Sequence, residues 1–336
     1  MSTLKLDLES YKDLLKQYIE SQDEQALYRA EQFSKHSIQQ NISPDVIIDV
    51  HIQALMELYP NLPENVNNSM NFLLETMISY GLAYQEYQAL REKQLELQSE
   101  ISVAANMQQT LLSTTKPEMD GVDIGAISTP AKQMNGDYYH FVKDGEGSLG
   151  IAVADVIGKG VPAALCMSMI KYSMDSFPDN RMDPKLILEG MNRVVERNVD
   201  PSMFVTMFYG LYDTDTNDFN YSSAGHEPGF YYSAEEDTFY DIEAEGLVLG
   251  VDRSVTYTQY TQHMNPGDMV ILLTDGVTEC RTGDRFIERE EISDVIAQYK
   301  HLPAQDITEQ VYHHFERLQD FQLRDDFTMI ILRRNV

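Results

Sequence analysis

Four acidic sites stand where short apolar segments begin or end. Asp137 lies in Asn135-Gly136-Asp137-Tyr138-Tyr139. Asp155 closes IAVAD and precedes Val156-Ile157-Gly158-Lys159-Gly160. Asp275 closes MVILLTD and precedes Gly276, and Asp325 and Asp326 immediately precede FTMIILR. A single aspartate after a strand is ordinarily a turn or N-cap residue. Repetition changes that inference, because strand ends on one edge of a sandwich bring several carboxylates to one point, where a divalent cation relieves their repulsion. All-oxygen ligation suits magnesium or manganese better than zinc, and the sequence contains no HxH, HExxH or clustered Cys/His that would supply nitrogen or sulfur. Gly136, Gly158, Gly160 and Gly276, beside the acids, let backbone and substrate approach closely.

The elements that must position these acids follow Ser113-Thr-Thr-Lys-Pro117. Alternating or apolar segments at 148–154, 204–212, 229–232, 269–273 and 328–332 read as strands. Turn signals separate them at Asp144-Gly145, Asp213 to Asp218 and Asn265 to Asp268. Helical patterns intervene at Pro162 to Ser176, at Pro184 to Asn198 and twice between Glu288 and Leu318. Strands in blocks with inserted helices predict an α+β domain: two antiparallel sheets packed face to face, helices outside.

Residues up to about Leu112 read as helix almost throughout. The first run carries Leu14, Leu15, Tyr18, Ile19, Leu27, Ala30 and Phe33 on helical spacing, and Asn41-Ile-Ser43-Pro44 breaks it, with Ser43 as N-cap and Pro44 as first helical residue. A second helix stops near Tyr59-Pro60. A third starts at about Pro63, with Met70, Leu73, Leu74, Met77 and Ile78 on its expected buried face, and continues without Pro to Leu112. Leu90, Leu97, Ala104 and Leu111 fall seven apart along it, with Tyr87, Gln94, Ile101 and Gln108 on a companion line. Such a seam, weakened by its glutamines, suits a switchable coiled-coil linker, and an amphipathic helix packed on a neighbour explains it nearly as well. The expected organisation is a helical regulatory domain at 1–84, a helical linker at 85–116 and a catalytic domain at 117–336.

NGDYYHF, ADVIGKGVPAAL, SAGHEPGF, LLTDGVTE and DDFT, in that order, resemble the PPM-type serine/threonine phosphatases of the bacterial sporulation and stress-response branch. The resemblance covers about 117–336. It implies a PPM-type β-sandwich flanked by helices, here preceded by an all-α bundle, and a site for two divalent cations, Mn2+ or Mg2+. By that resemblance Asp155 bridges both cations and the Val156 carbonyl completes one. Asp275 and Asp325 hold the other, and Asp137 binds directly or through water. Asp326 is adjacent, and the sequence leaves open which of Asp325 and Asp326 ligates. A water acidified between the cations then attacks a phosphoserine or phosphothreonine in line. Lys132 and Lys159 flank the acidic motifs as candidate phosphate-steering groups, although a solvated lysine is the commoner outcome. His226 is either a loop-ordering residue or a general acid; this branch lacks the usual histidine beside the bridging aspartate, and loop ordering is favoured. Asn135 in place of a more common Gly is a mild departure. The resemblance further implies, as substrate, a phosphorylated anti-sigma-factor antagonist of the STAS fold. It also implies a kinase-like switch protein as activator on the N-terminal bundle, and homodimerisation through the linker.

Composition narrows the alternatives. Lys plus Arg number 25 against 54 for Asp plus Glu, a net charge of −29, which repels nucleic acid and anionic membranes. This counts against a metal-dependent nuclease, and no P-loop supports a nucleotide enzyme. The intact acidic motifs oppose the other alternative, a catalytically weak scaffold in the same pathway. No stretch reaches the length of a membrane span or signal peptide. Cys166 and Cys280 match no metal or redox spacing and read as buried reduced thiols, hence a cytoplasmic protein.

Overall fold

The computed structural model describes residues 2–22, 24–40, 42–143, 147–158, 160–177, 183–200, 203–282 and 285–335. The Asp144-Gly145 turn and Lys159 lie outside them. The chain divides into two compact units, Met1–Ser99 and Glu100–Val336. The stretch read as a linker from 85 to 116 therefore contributes its last part to the second unit.

The first unit contains α1 (Ser2–Ser21), α2 (Glu24–Gln39), α3 (Pro44–Leu58) and the start of α4 (Glu64–Leu112). Pro44 opens α3 behind an extended Ser43, although the Ser43 hydroxyl makes no capping bond. The sequence reading carried one helix from the N-terminus to residue 40; the break lies at Gln22, whose φ of 49° ends α1. α1 packs on α2 and α3. Tyr11 meets the Phe33 ring at 5.2 Å and the His51 Nδ1 at 3.0 Å, and Ala26, Ile52 and Ala54 are buried. The face of α4 expected to be buried is only partly so: Met70, Leu74 and Met77 are half-buried, while Leu73 and Ile78 are exposed. Leu90, Leu97 and Leu111 are also exposed.

The second unit holds β1 (Val122–Thr129), β2 (Asp137–Lys143), β3 (Ser148–Val156), α5 (Val161–Asp175), α6 (Pro184–Asn198), β4 (Val205–Asp213), β5 (Asp218–Ala224), β6 (Gly229–Ser233), β7 (Thr238–Ile242), β8 (Tyr260–His263), β9 (Met269–Leu273), α7 (Asp275–Thr278), β10 (Arg281–Thr282), β11 (Arg285–Phe286), α8 (Arg289–Tyr299), α9 (Ala304–Leu318) and β12 (Phe327–Arg334). One antiparallel sheet runs β1-β12-β9-β6-β7, the other β2-β3-β4-β5-β8, and β10-β11 is a separate hairpin. Strand alternation sorts the side chains into layers. Leu149, Ile151 and Val153 of β3 meet Val270, Leu272, Ile330 and Leu332 between the sheets. Ala152, Ala154 and Val156 face Met167, Ile170, Leu188 and Met191 of α5 and α6. Ile271 and Leu273 face Ile292, Val311 and Phe315 of α8 and α9. Both faces of the central strands are covered, which is why those strands read as continuous apolar runs. Among the described residues no helix is long and apolar enough to cross a membrane.

Candidate active site

The topology brings the acids to one end of the sandwich. Asp137, first residue of β2, is the register partner of Asp155 near the end of β3. Asp275 follows β9 and the pair Asp325-Asp326 precedes β12; β9 and β12 are adjacent antiparallel strands. Gly276 makes the final approach possible, because a Cβ there would lie 1.9 Å from the Asp326 carbonyl oxygen. Gly158, beyond Asp155, has a φ of 138°, a conformation that favours glycine.

Asp137 is buried and sits in a hydrogen-bonded ring. Its backbone N–H donates to Asn135 Oδ1 at 3.0 Å, Asn135 Nδ2 donates to Ser128 Oγ at 2.9 Å, and the Ser128 and Thr328 hydroxyls are 2.8 Å apart. The Thr328 N–H donates to Thr274 Oγ1 at 3.2 Å, and that hydroxyl donates to Asp137 Oδ2 at 2.7 Å. Gln108 enters the ring from the end of α4: its Nε2 donates to the Asn135 carbonyl at 2.7 Å, and the Asn135 N–H donates to its Oε1 at 3.0 Å. Gln108 is 5% exposed. This corrects its placement on the companion line of an exposed seam: the amide side chain belongs to the catalytic unit. It also gives Asn135, read as a mild departure, a specific hydrogen-bonding role.

The two adjacent acids at the start of β12 are held differently. Asp326 accepts the Ala131 N–H at 2.7 Å on one carboxylate oxygen and the Gly136 N–H on the other, so it fastens the loop before Asp137. Its own N–H donates to Asp325 Oδ1 at 3.0 Å. Asp325 is the acid that acts electrostatically on Asp275. Val156 donates its N–H to the Gly136 carbonyl at 3.2 Å, joining the two glycine-bearing loops.

The electrostatics fit a cation site. Burial first, then Asp155 and Asp326, push the Asp137 carboxyl well above the usual range, against the bonds from Thr274 and Thr328. Burial, Asp325, Glu279 and Glu227 raise Asp275 to about 6. Among the described residues no three His, Cys, Asp or Glu side chains form a ready-made ligand group; the carboxylates act on one another pairwise, Asp155 and Asp326 each on Asp137, and Asp325 on Asp275. An open, all-oxygen donor set of this kind suits Mg2+ or Mn2+, which retain waters and need few carboxylates each.

His226 is buried, its Nδ1 2.9 Å from the Thr206 hydroxyl and its backbone N–H donating to Ser223 Oγ at 3.1 Å. Burial lowers it to about 4, with the Leu273 carbonyl acting the other way. It is a neutral, inward-facing imidazole, in keeping with loop ordering. Lys132 is exposed on the loop that holds Asp326. Burial raises Cys166 to about 11 and Cys280 to about 12, so neither thiol is an ionised nucleophile at neutral pH. A cavity of about 370 Å³ beside Asp137 is lined by Gln108, Asn135 and Tyr139, among others. A second, of about 220 Å³, is lined by Gly276, Glu279, Arg281, Gln319, Arg324 and Asp325. The sequence reading did not single out either arginine, although Arg324 immediately precedes Asp325.

Comparison with known proteins bears on both units. Residues 145–335 match the family described as Stage II sporulation protein E (SpoIIE), and residues 9–83 match that described as Phosphoserine phosphatase RsbU, N-terminal domain. The Phosphoserine phosphatase RsbU of Bacillus subtilis (strain 168) is 56% identical over 326 residues, 97% of each chain. Protein IcfG of Synechocystis is 27% identical over 70% of this chain and 42% of its own length. In structure, the SiaA-PP2C domain of Pseudomonas aeruginosa superposes with a TM-score of 0.62 at 17% identity, covering 72% of this chain and 98% of that one. The RsbU and RsbW domains of Rv1364c from Mycobacterium tuberculosis give 0.57 at 25% identity, covering 67% and 62%.

Proposed function

The chain belongs to the RsbU family of phosphoserine phosphatases, and from that premise we propose that it hydrolyses the serine or threonine phosphate of an anti-sigma-factor antagonist of the STAS fold, an RsbV-like protein, in a cytoplasmic partner-switching stress pathway. The observation that carries the catalytic part is the register pair Asp137 and Asp155 beside Asp275 and Asp325, at one end of a two-sheet sandwich. Asp137, Asp155, Asp275 and Asp325, with the Val156 carbonyl, would hold two divalent cations, Mn2+ or Mg2+. Those cations, when bound, supply an acidified water and neutralise the charge that develops on the phosphoryl oxygens.

The chain's own residues do the positioning. Thr274 fixes one Asp137 oxygen, and Asp326, with both oxygens on backbone N–H groups, supports the loop and leaves Asp325 as the ligand of that pair. With both cysteines buried and protonated, no phosphocysteine forms. A neutral His226 turned to Thr206 is a positioning group, not the leaving-group acid.

The division into a helical regulatory domain (1–84), a linker (85–116) and a phosphatase domain (117–336) is part of the same reading. An RsbT-like activator would engage the helical domain, whose RsbU-type match supports that role, and two chains would pair along the exposed Leu90, Leu97 and Leu111 line. The test is Mn2+-dependent dephosphorylation of the phosphorylated STAS-type protein, with and without the activator. A wild-type chain that leaves the phosphoprotein intact under both conditions overturns the reading.

A further inference from the structure

We propose that Arg281 and Arg324 form an anion-recognition subsite beside Asp275 and Asp325, which takes an oxyanion of the substrate protein at or beside the reacting phosphate. The inference rests on the phosphatase reading and adds residues that determine substrate affinity. An acidic chain with a carboxylate-lined site repels a phosphoprotein at a distance, so its few well-placed cations carry disproportionate weight.

Both guanidinium-bearing residues line the 220 Å³ cavity, together with Asp325 and with Gly276, which follows Asp275 directly. Arg324 immediately precedes Asp325, and its backbone N–H donates to Gln319 Oε1 at 3.3 Å, fixing the turn. Arg281 opens the β10-β11 hairpin. Its guanidinium lies 4.1 Å from the centre of the ring of Phe286, its cross-strand partner, so it is held in place by stacking. Neighbouring arginines are committed elsewhere: Arg285 grips Glu291 through two nitrogens, and Arg289 grips Asp241 and the Pro228 carbonyl. Among the described residues neither Arg281 nor Arg324 is in an ion pair. Two arginines lining one cavity supply planar, two-toothed donors of the kind that match phosphate and carboxylate. The phosphoryl oxygens themselves, or a carboxylate flanking the phosphoserine, are the two sources of that chemistry.

The experiment compares full-length wild type with Arg281→Ala, Arg324→Ala, the double variant and the double Lys variant. It measures KM and kcat with Mn2+ on p-nitrophenyl phosphate and on the phosphorylated STAS-type protein, and inorganic phosphate binding by calorimetry. The double Ala variant should raise KM for the phosphoprotein by about tenfold or more with kcat changing far less, and the Lys pair should recover only part. A rise on both substrates with weaker phosphate binding assigns the phosphoryl oxygens; a rise on the phosphoprotein alone assigns a flanking carboxylate. Unchanged KM on both substrates and unchanged phosphate binding overturn the subsite while leaving the phosphatase reading intact. If the double Ala variant does not fold, the Lys pair, which keeps charge and bulk, decides by the same criteria. A wild type that hydrolyses neither substrate overturns the phosphatase reading instead, and phosphate binding to the five proteins then decides the subsite.

Discussion

His226 Nδ1 lies 2.9 Å from the hydroxyl of Thr206, and Thr206 is the register partner of Asp155. The imidazole also lies near the Leu273 carbonyl, two residues before Asp275, so one buried side chain bridges β4, the neighbour of the strand that carries Asp155, and the end of β9, which leads into Asp275. Its proton affinity sets a pH dependence. Burial holds His226 at about 4 against an ordinary 6.5, and His140 is likewise at about 4. Between those values the unfolded chain binds protons on these two histidines that the folded chain refuses, so their contribution to stability is complete above pH 6.5 and is lost as pH drops toward 4, while the raised Asp137 and Asp275 carboxyls of the metal-free chain act in the opposite direction. The slope approaches about 1 kcal/mol per pH unit for each histidine. Denaturant unfolding of EDTA-treated wild type and His226→Gln at pH 7.5, 6 and 5 isolates the His226 part as the difference between the two, and the stability of wild type relative to the variant should fall as pH is lowered. An unchanged slope would show that His226 is not the group responsible.

Removing a carboxylate tests the cation site from two sides. Asp155→Asn and Asp275→Asn should each lower turnover by about 10²-fold or more, because charge stabilisation at the phosphoryl group is lost. Each should also raise the melting temperature of the chelated protein slightly, since Asp137 and Asp325 lose a repelling neighbour. Thermal scans in EDTA and steady-state rates in Mn2+ report the two effects separately. Wild-type turnover by folded Asp155→Asn in the presence of chelator would end the two-cation reading.

The acids were legible because each ends or begins an apolar strand, and strand termini on one edge of a sandwich converge. β9 (269–273) and α6 (184–198) lie where the sequence placed them, since uninterrupted apolar runs and helical stripes are local signals. β1, with Asp123, Ser128 and Thr129 among its apolar residues, carries a weaker pattern and was not read. The break at Gln22 had no Gly or Pro to announce it. Thr274, Asn135 and Gln108 were invisible as site residues for a different reason. Their roles exist only after folding, when Thr274 meets Asp137 across 137 positions and Gln108 meets Asn135 across 27.

The corrected position of Gln108 separates two glutamines that the heptad spacing had grouped. Gln108→Leu leaves the half-buried Asn135 N–H and carbonyl without their Gln108 partners, at a cost of about 1–2 kcal/mol in the catalytic unit. Gln94 is exposed, so Gln94→Leu should leave that unit's stability within about 0.5 kcal/mol and strengthen self-association if the seam pairs two chains. Chemical denaturation and analytical ultracentrifugation of the two single variants distinguish these outcomes. Equal stability of Gln108→Leu and wild type would refute the clamp, and unchanged self-association of Gln94→Leu would refute the seam.

Truncation locates the functional boundary of the phosphatase unit. A cut at 117 removes Gln108, Leu112, which packs on the α5-α6 core, and Thr114, whose hydroxyl lies 3.2 Å from His140 Nδ1. A cut at 100 keeps all three. Both fragments retain the two sheets and their flanking helices, so both should fold, but 117–336 should unfold at lower denaturant than 100–336. It should also bind Mn2+ more weakly, by about tenfold, because the loop carrying Asp137 loses its support from Gln108. Urea midpoints measured in EDTA and Mn2+ titration calorimetry on the two fragments give the comparison. Identical midpoints and identical affinities would mean that the last turns of α4 are dispensable to the site, and would favour 117 as the true start of the catalytic domain.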